Sequence, residues 1–311
     1  MTPAEAQTSR FATVAEALSD EFRKIHGVLH AINAELNLPD HSDLNAPFYP
    51  WSSGLYPPPQ IYATRLWEYP FAVTAADLRK GMSCADIGCG MTPFTVFLMR
   101  LCGCKVTGFD PDLYASGFRY KAFGVSREFI GRTGLRVLPS PMQHLDAEES
   151  AFDRVFCISV LEHVSEAIAR RGVQEIARVL KPGGLAILTL DVNIFSTLCE
   201  ADPLSLVWDS GLVPAGAMDL RWPRRRLGVF CKGNEPADVF GLVLRKEEYE
   251  IETAYAGVGG VSVPDRMPGY KVPAVRKPKE KPLTILPWRT RLKRALLLIL
   301  RGHTGGRWTE P

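Results

Sequence analysis

The sequence predicts an α/β protein: a doubly wound, mainly parallel sheet with an N-terminal helical extension. Three observations predict it. Between Gly81 and about Asp191 apolar strand-like runs alternate with helical patterns, the spacing that builds parallel sheets with right-handed crossovers. Two of these runs, FDRVFCIS and GLAILTLD, are apolar without alternation, as strands buried on both faces are. A glycine pair, Gly88 and Gly90 in CADIGCGMTP, directly follows the first run. Such a turn lets backbone approach a ligand more closely than a Cβ permits.

Each element has its own signal. Over residues 4–38, Phe11, Val14, Ala15, Leu18, Phe22, Ile25, Val28, Leu29 and Ile32 recur at spacings of three and four, which predicts helix. NAPFYPWSSGLYPPPQIY cannot continue a helix and reads as an irregular loop. A short helix through ATRLWEYPFAVTAADLRK then leads into the main domain. MSCADI, CKVTGFD, LRVLP, FDRVFCIS and GLAILTLD are the expected strands, with helices in PFTVFLMRLCG and AIARRGVQEIARVLKPGG. DVFGLVLRKE is a late strand of the same sheet, reached after a Pro- and Arg-rich insertion at 195–236. The division expected is an extension over 1–75, a main domain over 76–260 and a tail over 261–311, with no internal repeat.

Composition and charge narrow the function classes. Of 311 residues, 46% are apolar and 23% charged, which excludes general disorder. Seven cysteines sit in apolar runs rather than at disulfide spacing, as in a reducing compartment. Cys102 and Cys104 have no second pair at ligand spacing, so no metal is expected. MTPAEAQTSRF lacks the basic start and apolar stretch of a secretory signal, and no run of about 18 apolar residues occurs. The expected location is cytoplasmic. From Arg266 to Pro311 there are twelve Lys/Arg against two Asp/Glu, so this segment carries about +10 and the rest about −7. TRLKRALLLILRG reads as a short basic amphipathic helix, suited either to an anionic membrane surface or to docking on the domain. Without interleaved aromatics or a recognisable module, the sequence argues against nucleic acid as a partner.

Two chemistries place a glycine turn between a first strand and a helix, with an acidic residue ending the second strand. Dinucleotide binding needs a third glycine where this chain has Pro93, and proline removes a backbone donor from the pyrophosphate site. Nucleoside sulfonium binding fits better. Asp86, two positions before Gly88, can order the loop and meet a cationic amino group, and Asp110, ending CKVTGFD, can accept from two ribose hydroxyls.

CADIGCGMTPFTVFLMRLCGCKVTGFDPD, FDRVFCISVLEHV and RVLKPGGLAILTLD, in this order and spacing, resemble the class I S-adenosylmethionine-dependent methyltransferases over roughly residues 65–192. The resemblance implies a Rossmann-like methyltransferase fold, S-adenosyl-L-methionine as cofactor and a cofactor-binding domain over 76–260. It places Asp86, Gly88, Cys89 and Gly90 under the methionine part, Asp110 on the ribose, and Ser159 with its backbone toward the amino group. Where relatives carry an acidic adenine contact, this chain reads PSPMQHLD, which leaves Met142 and Gln143 as the adenine candidates. Relatives often carry an N-terminal lid. By that likeness residues 1–75 form a lid, Arg65 pairs with the methionine carboxylate, and Glu68 or Tyr69 faces the acceptor; the alternative is that Trp67, Tyr69 and Phe71 are packing aromatics.

Methyl transfer is an in-line displacement whose activation comes from the cofactor, so the protein chiefly positions the reactants. A base is needed only for a weakly acidic acceptor such as a sugar hydroxyl. His163, in LEHV, and Asp191, ending LAILTLD, are candidates beside Glu68. Trp51, Tyr56, Trp67 and Trp208 offer flat surfaces for a ring. The expected activity is methyl transfer to a small-molecule, glycan or lipid-linked acceptor at oxygen, with peripheral membrane contact through the tail. An NAD(P)-dependent oxidoreductase and a non-catalytic membrane-peripheral binding protein are the alternatives.

Overall fold

The computed structural model of the protein describes residues 3–38, 65–113, 125–192, 207, 210–221, 229–231 and 235–247. The loop bearing Trp51 and Tyr56, Trp208 in the insertion, and the basic tail lie outside these residues.

The N-terminal stretch is not one helix. It divides into α1 (Pro3–Ala6), β1 (Ser9–Phe11), α2 (Val14–Ala17) and α3 (Asp20–Leu36). The sheet edge overrides helical periodicity here. Ser9 is fully buried, its hydroxyl accepts from the Val243 amide at 3.0 Å, and its own amide donates to the Ala217 carbonyl at 2.8 Å. Phe11 packs edge-on against Phe240 with ring centroids 4.8 Å apart. Helix resumes at α3, where the Ser19 hydroxyl accepts from the Phe22 amide and Asn37 closes the other end in the left-handed region at φ 47°.

Beyond α4 (Arg65–Ala75) the expected alternation appears: β2 (Ser83–Ile87), α5 (Pro93–Arg100), β3 (Lys105–Phe109), α6 (Arg127–Thr133), β4 (Arg136–Leu138), β5 (Phe152–Ile158), α7 (Glu166–Val179) and β6 (Leu180–Val192). Pro93 occupies the first turn of α5, where its missing N–H has no helical partner to lose. In α7 Ala169, Val173, Ile176 and Val179 fall on one buried face. The insertion and later chain supply β7 (Val213–Pro214), β8 (Met218–Asp219), β9 (Val229–Cys231) and β10 (Glu235–Arg245).

The sheet order is β4-β3-β2-β5-β6-β10-β1-β8. The first five strands are mutually parallel, β10 is antiparallel to β6 and β1, and β8 runs parallel to β1. Two cores cover the two faces. One joins Phe22, Leu29, Trp67, Phe71, Phe94 and Leu98; the other joins Phe109, Val173, Ile176, Leu180 and Leu242. The sheet is doubly wound and mostly parallel, and the N-terminal extension is built into it through β1.

Helix α4 lies on one face. Trp67 and Phe71 stack with centroids 4.3 Å apart over Gly241 of β10, where a Cβ would sit 2.5 Å from Phe71 Cζ and 2.8 Å from Trp67 Cη2. The Trp67 indole N–H donates to Glu16 at 2.8 Å, and Glu16 also accepts from Arg10. Replacement of Gly241 by leucine should force α4 off the sheet and lower stability by about 1–3 kcal/mol. Urea unfolding followed by circular dichroism measures that loss.

Candidate active site

The site forms at the carboxyl ends of the parallel strands, where ligands bind in open α/β sheets. Five pieces of chain make it: the turn after β2, the end of β3, the tips of β5 and β6, and α4 above them.

The turn begins at Gly88, with φ 67°, whose amide donates to the Phe109 carbonyl at 2.7 Å. A Cβ at Gly88 would lie 2.5 Å from Val160 Cγ2, so both conformation and space require glycine. Gly90 also has positive φ, 52°, and its amide donates to Asp110 Oδ2 at 3.0 Å. The other oxygen, Oδ1, accepts from the Asp112 amide at 2.9 Å. Each Asp110 oxygen thus takes one backbone donor and keeps acceptor capacity for another. Burial is the main cause that raises the Asp110 pKa, with the two amides working against it.

Asp86, at the end of β2, is 3% exposed. Burial pushes its carboxyl up to about 8, the Asp110 carboxylate adds to the rise, and Arg65 opposes it. Two carboxyls held above their ordinary range beside a glycine turn favour a cationic ligand, whose charge would relieve both.

At the strand tips a buried carboxylate organises its surroundings. Glu68 of α4 has no exposed surface; its Oε1 accepts from the Thr189 hydroxyl at 2.6 Å and the Ser159 hydroxyl at 2.9 Å, and its Oε2 pairs with Arg65. Arg65 also donates to Ser159 Oγ at 2.6 Å. Ser159 adopts φ 52°, left-handed for a residue with a side chain, while its amide donates to the Thr189 carbonyl at 3.0 Å.

Residues 85–188 match the family model described as a methyltransferase domain. This stretch, which runs from β2 to β6, is thus similar to methyltransferase domains. The chain is 28% identical over 142 residues to a tRNA U34 carboxymethyltransferase of Campylobacter curvus, covering 45% of each protein. It is 29% identical over 110 residues to a sterol 24-C-methyltransferase of Saccharomyces cerevisiae, covering 35% of this chain and 27% of that one. It thus spans less than half the length of these two curated relatives. A Haemonchus contortus phosphoethanolamine N-methyltransferase 2 structure aligns at TM-score 0.43 and 12% identity, over 58% of this chain and 53% of that one.

Within the methyltransferase domain, Asp86, Gly88, Cys89, Gly90 and Asp110 come together as expected. Cys89 is buried, and burial raises its thiol pKa. Ser159 joins the opposite wall. Met142 does not present its side chain to the cleft: it is 5% exposed and packs on α7, its Cγ 3.0 Å from where a Gly172 Cβ would stand. The apolar thioether fills the space that glycine leaves open. Gln143 beside it is half-buried.

Glu68, the candidate expected at the acceptor, is buried at the strand tips. Its carboxyl is held there by the hydroxyls of Ser159, just past β5, and Thr189 of β6, and by Arg65 one helical turn away. Tyr69 is 4% exposed and stacks on Phe94 with centroids 5.0 Å apart, as a packing aromatic. His163 ends a short 3-10 helix (Leu161–His163) with an exposed side chain, and Asp191 stands half-buried near the end of β6.

The sequence reading passed over Glu162, the neighbour of His163. It is buried, and its pKa is driven well above the ordinary range by burial and then by Asp191. The signal lay in LEHV, where the polar residue beside the leucine faces inward and the histidine faces out.

Replacing Glu68 by leucine strands the Arg65 guanidinium and two hydroxyls, which should cost about 3–5 kcal/mol. Glu68→Gln keeps an acceptor for the hydroxyls and should cost clearly less. Denaturant titration of the two variants against the parent chain checks the ordering.

Proposed function

We propose that the protein transfers a methyl group from S-adenosyl-L-methionine to an oxygen of a small-molecule, glycan or lipid-linked acceptor. The observation that carries the reading is the pair of raised carboxyls, Asp86 and Asp110, at a glycine turn shaped for close approach. Asp110 would hold the ribose hydroxyls with its remaining acceptor capacity, and Asp86 would face the ammonium of the methionine part. The cofactor, when bound, supplies a methyl group already activated by its sulfonium. The chain's own residues bind and orient: the Gly88 turn admits the ligand against backbone, and the Arg65–Glu68–Ser159 contacts keep the opposite wall in place.

The field at these strand ends argues against the oxidoreductase alternative. A pyrophosphate would meet Asp86 and Asp110, and Pro93 withholds an amide at the start of α5. The relatives named tRNA U34 carboxymethyltransferases favour a second reading, a nucleic-acid acceptor. Under that reading a single base would enter the cleft, and the phosphates would be held away from its carboxyls. Among the described residues no helix is long and apolar enough to cross a membrane.

S-adenosylhomocysteine should bind and NAD should not, as calorimetry reads directly. Asp110→Ala should weaken S-adenosylhomocysteine about 10- to 100-fold, the loss of one or two hydrogen bonds to a charged group. A cation near Asp86 favours the ionised carboxyl, so binding at pH 7 should release a proton. Affinity should accordingly rise with pH towards about 8 and level off above it. Titrations across pH 6–9 in buffers of different ionisation enthalpy measure both effects. NAD binding in place of the nucleoside would overturn the reading, and methylation of tRNA rather than of sugar, phenol or lipid acceptors would select the second one.

A further inference from the structure

Ser159, the residue that leaves β5, keeps a backbone conformation that its own side chain disfavours. Its φ of 52° lies in the left-handed region, which residues with a Cβ adopt only when their surroundings force it. Two side chains of α4 hold its hydroxyl, which donates to Glu68 Oε1 at 2.9 Å and accepts from Arg65 Nη1 at 2.6 Å. Thr189 of β6 holds the backbone. The Ser159 amide donates to the Thr189 carbonyl at 3.0 Å and to the Thr189 hydroxyl at 3.2 Å. That hydroxyl donates in turn to Glu68 at 2.6 Å, so Glu68 is bound both to Ser159 and to the residue that receives its amide.

The next residue shows why that conformation matters. Val160 returns to φ −124° and seats its side chain on the turn after β2. A Cβ built on Gly88 would stand 2.5 Å from Val160 Cγ2 and 3.3 Å from Val160 Cγ1. The valine thus fills the space beside Gly88 that a side chain there would need. Gly88 itself donates to the Phe109 carbonyl at 2.7 Å, and Gly90, two residues on, donates to Asp110 at 3.0 Å. A valine is stiff about its Cα–Cβ bond and follows its backbone. Rotation at Ser159 therefore carries Val160 with it, and close-packed neighbours have no free volume to absorb the movement.

We propose that the Glu68–Ser159 contact is a positioning device for the cofactor site: it holds Ser159 left-handed, and Val160 transmits that setting to the Gly88 turn. The inference rests on the methyl-transfer reading and adds residues that shape its cofactor site without belonging to the glycine turn. Glu68 is fully buried and acts only through the residues it holds. When the hydroxyl contacts are lost, Ser159 relaxes to an ordinary conformation and Val160 moves off Gly88. Binding must then restore both, and affinity falls by the cost of doing so. Helix α4, which precedes the first strand of the parallel sheet, thereby controls how tightly the turn holds its ligand.

Calorimetry with S-adenosylhomocysteine on the full-length protein tests this with Ser159→Ala, Ser159→Gly, Val160→Ala and the double variant Ser159→Ala with Val160→Ala. Denaturant unfolding of the same samples shows that each is folded. Alanine and glycine lose the same hydroxyl contacts, but glycine enters the left-handed region readily. Ser159→Ala should weaken binding about 10-fold, and Ser159→Gly should bind at least about threefold tighter than Ser159→Ala. A serine that served stability alone would give the two variants equal affinity, or the glycine variant the weaker one, since glycine adds freedom to the chain. Val160→Ala should weaken binding about 5- to 10-fold, and adding Ser159→Ala to it should change affinity by less than about twofold, as for residues on one path. If wild type does not bind S-adenosylhomocysteine, the methyl-transfer reading itself fails. If it binds, and Ser159→Ala matches wild type, or Ser159→Gly binds no tighter than Ser159→Ala, or the Ser159 and Val160 effects add in full, the Glu68–Ser159 contact does not position the turn.

Discussion

The carboxylate of Glu68 is the contact on which the rest of the arrangement depends. A fully buried charge survives only when paired and hydrogen-bonded, and here Arg65, Ser159 and Thr189 supply those partners from three elements. Satisfying Glu68 fixes the height of α4 above the sheet, which seats Trp67 and Phe71 on Gly241. It also holds Ser159 in the left-handed region, a conformation that costs about 1–3 kcal/mol for a residue with a side chain. The wall opposite the glycine turn is therefore set by one side chain.

With Arg65 engaged by Glu68, the strand ends carry a surplus of carboxyls. Asp86 and Asp110 flank the glycine turn, and Glu162 and Asp191 stand at the tips of β5 and β6. Burial raises Asp86, Asp110 and Glu162, with Asp110 adding to the rise at Asp86 and Asp191 to that at Glu162, which stores an electrostatic preference for cations in the free protein. A nucleoside with a sulfonium and an ammonium answers that preference; a pyrophosphate opposes it. The same sheet order serves both ligand classes, so charge at the turn separates them where topology does not.

Much of this was legible in the sequence. Parallel strands buried on both faces declare themselves as unbroken apolar runs, and Gly88, Gly90 and Asp110 are chemically constrained enough to stand out. Other features depend on partners far along the chain. Strand β1 has three residues, too few to show a period, and exists because β10 offers an edge to Ser9 and Phe11. The packing of the Met142 side chain depends on Gly172, thirty residues later, which opens a space for it. The burial of Glu68 depends on Ser159 and Thr189, hydroxyls that come from about a hundred residues further along the chain. Glu162 was overshadowed by His163, because a histidine advertises proton chemistry by its type alone, whereas a carboxyl does so through burial.

The central claim is that the Gly88 turn and Asp110 clasp an adenosyl ligand facing the tips of β5 and β6. A crystal structure with S-adenosylhomocysteine tests it most directly. The account predicts ribose hydroxyls on the Asp110 carboxylate and the sulfur between the Gly88 turn and Glu162. A nucleoside bound elsewhere, or an Asp110 carboxylate that keeps only its two backbone amides while the ligand lies out of reach, would contradict it.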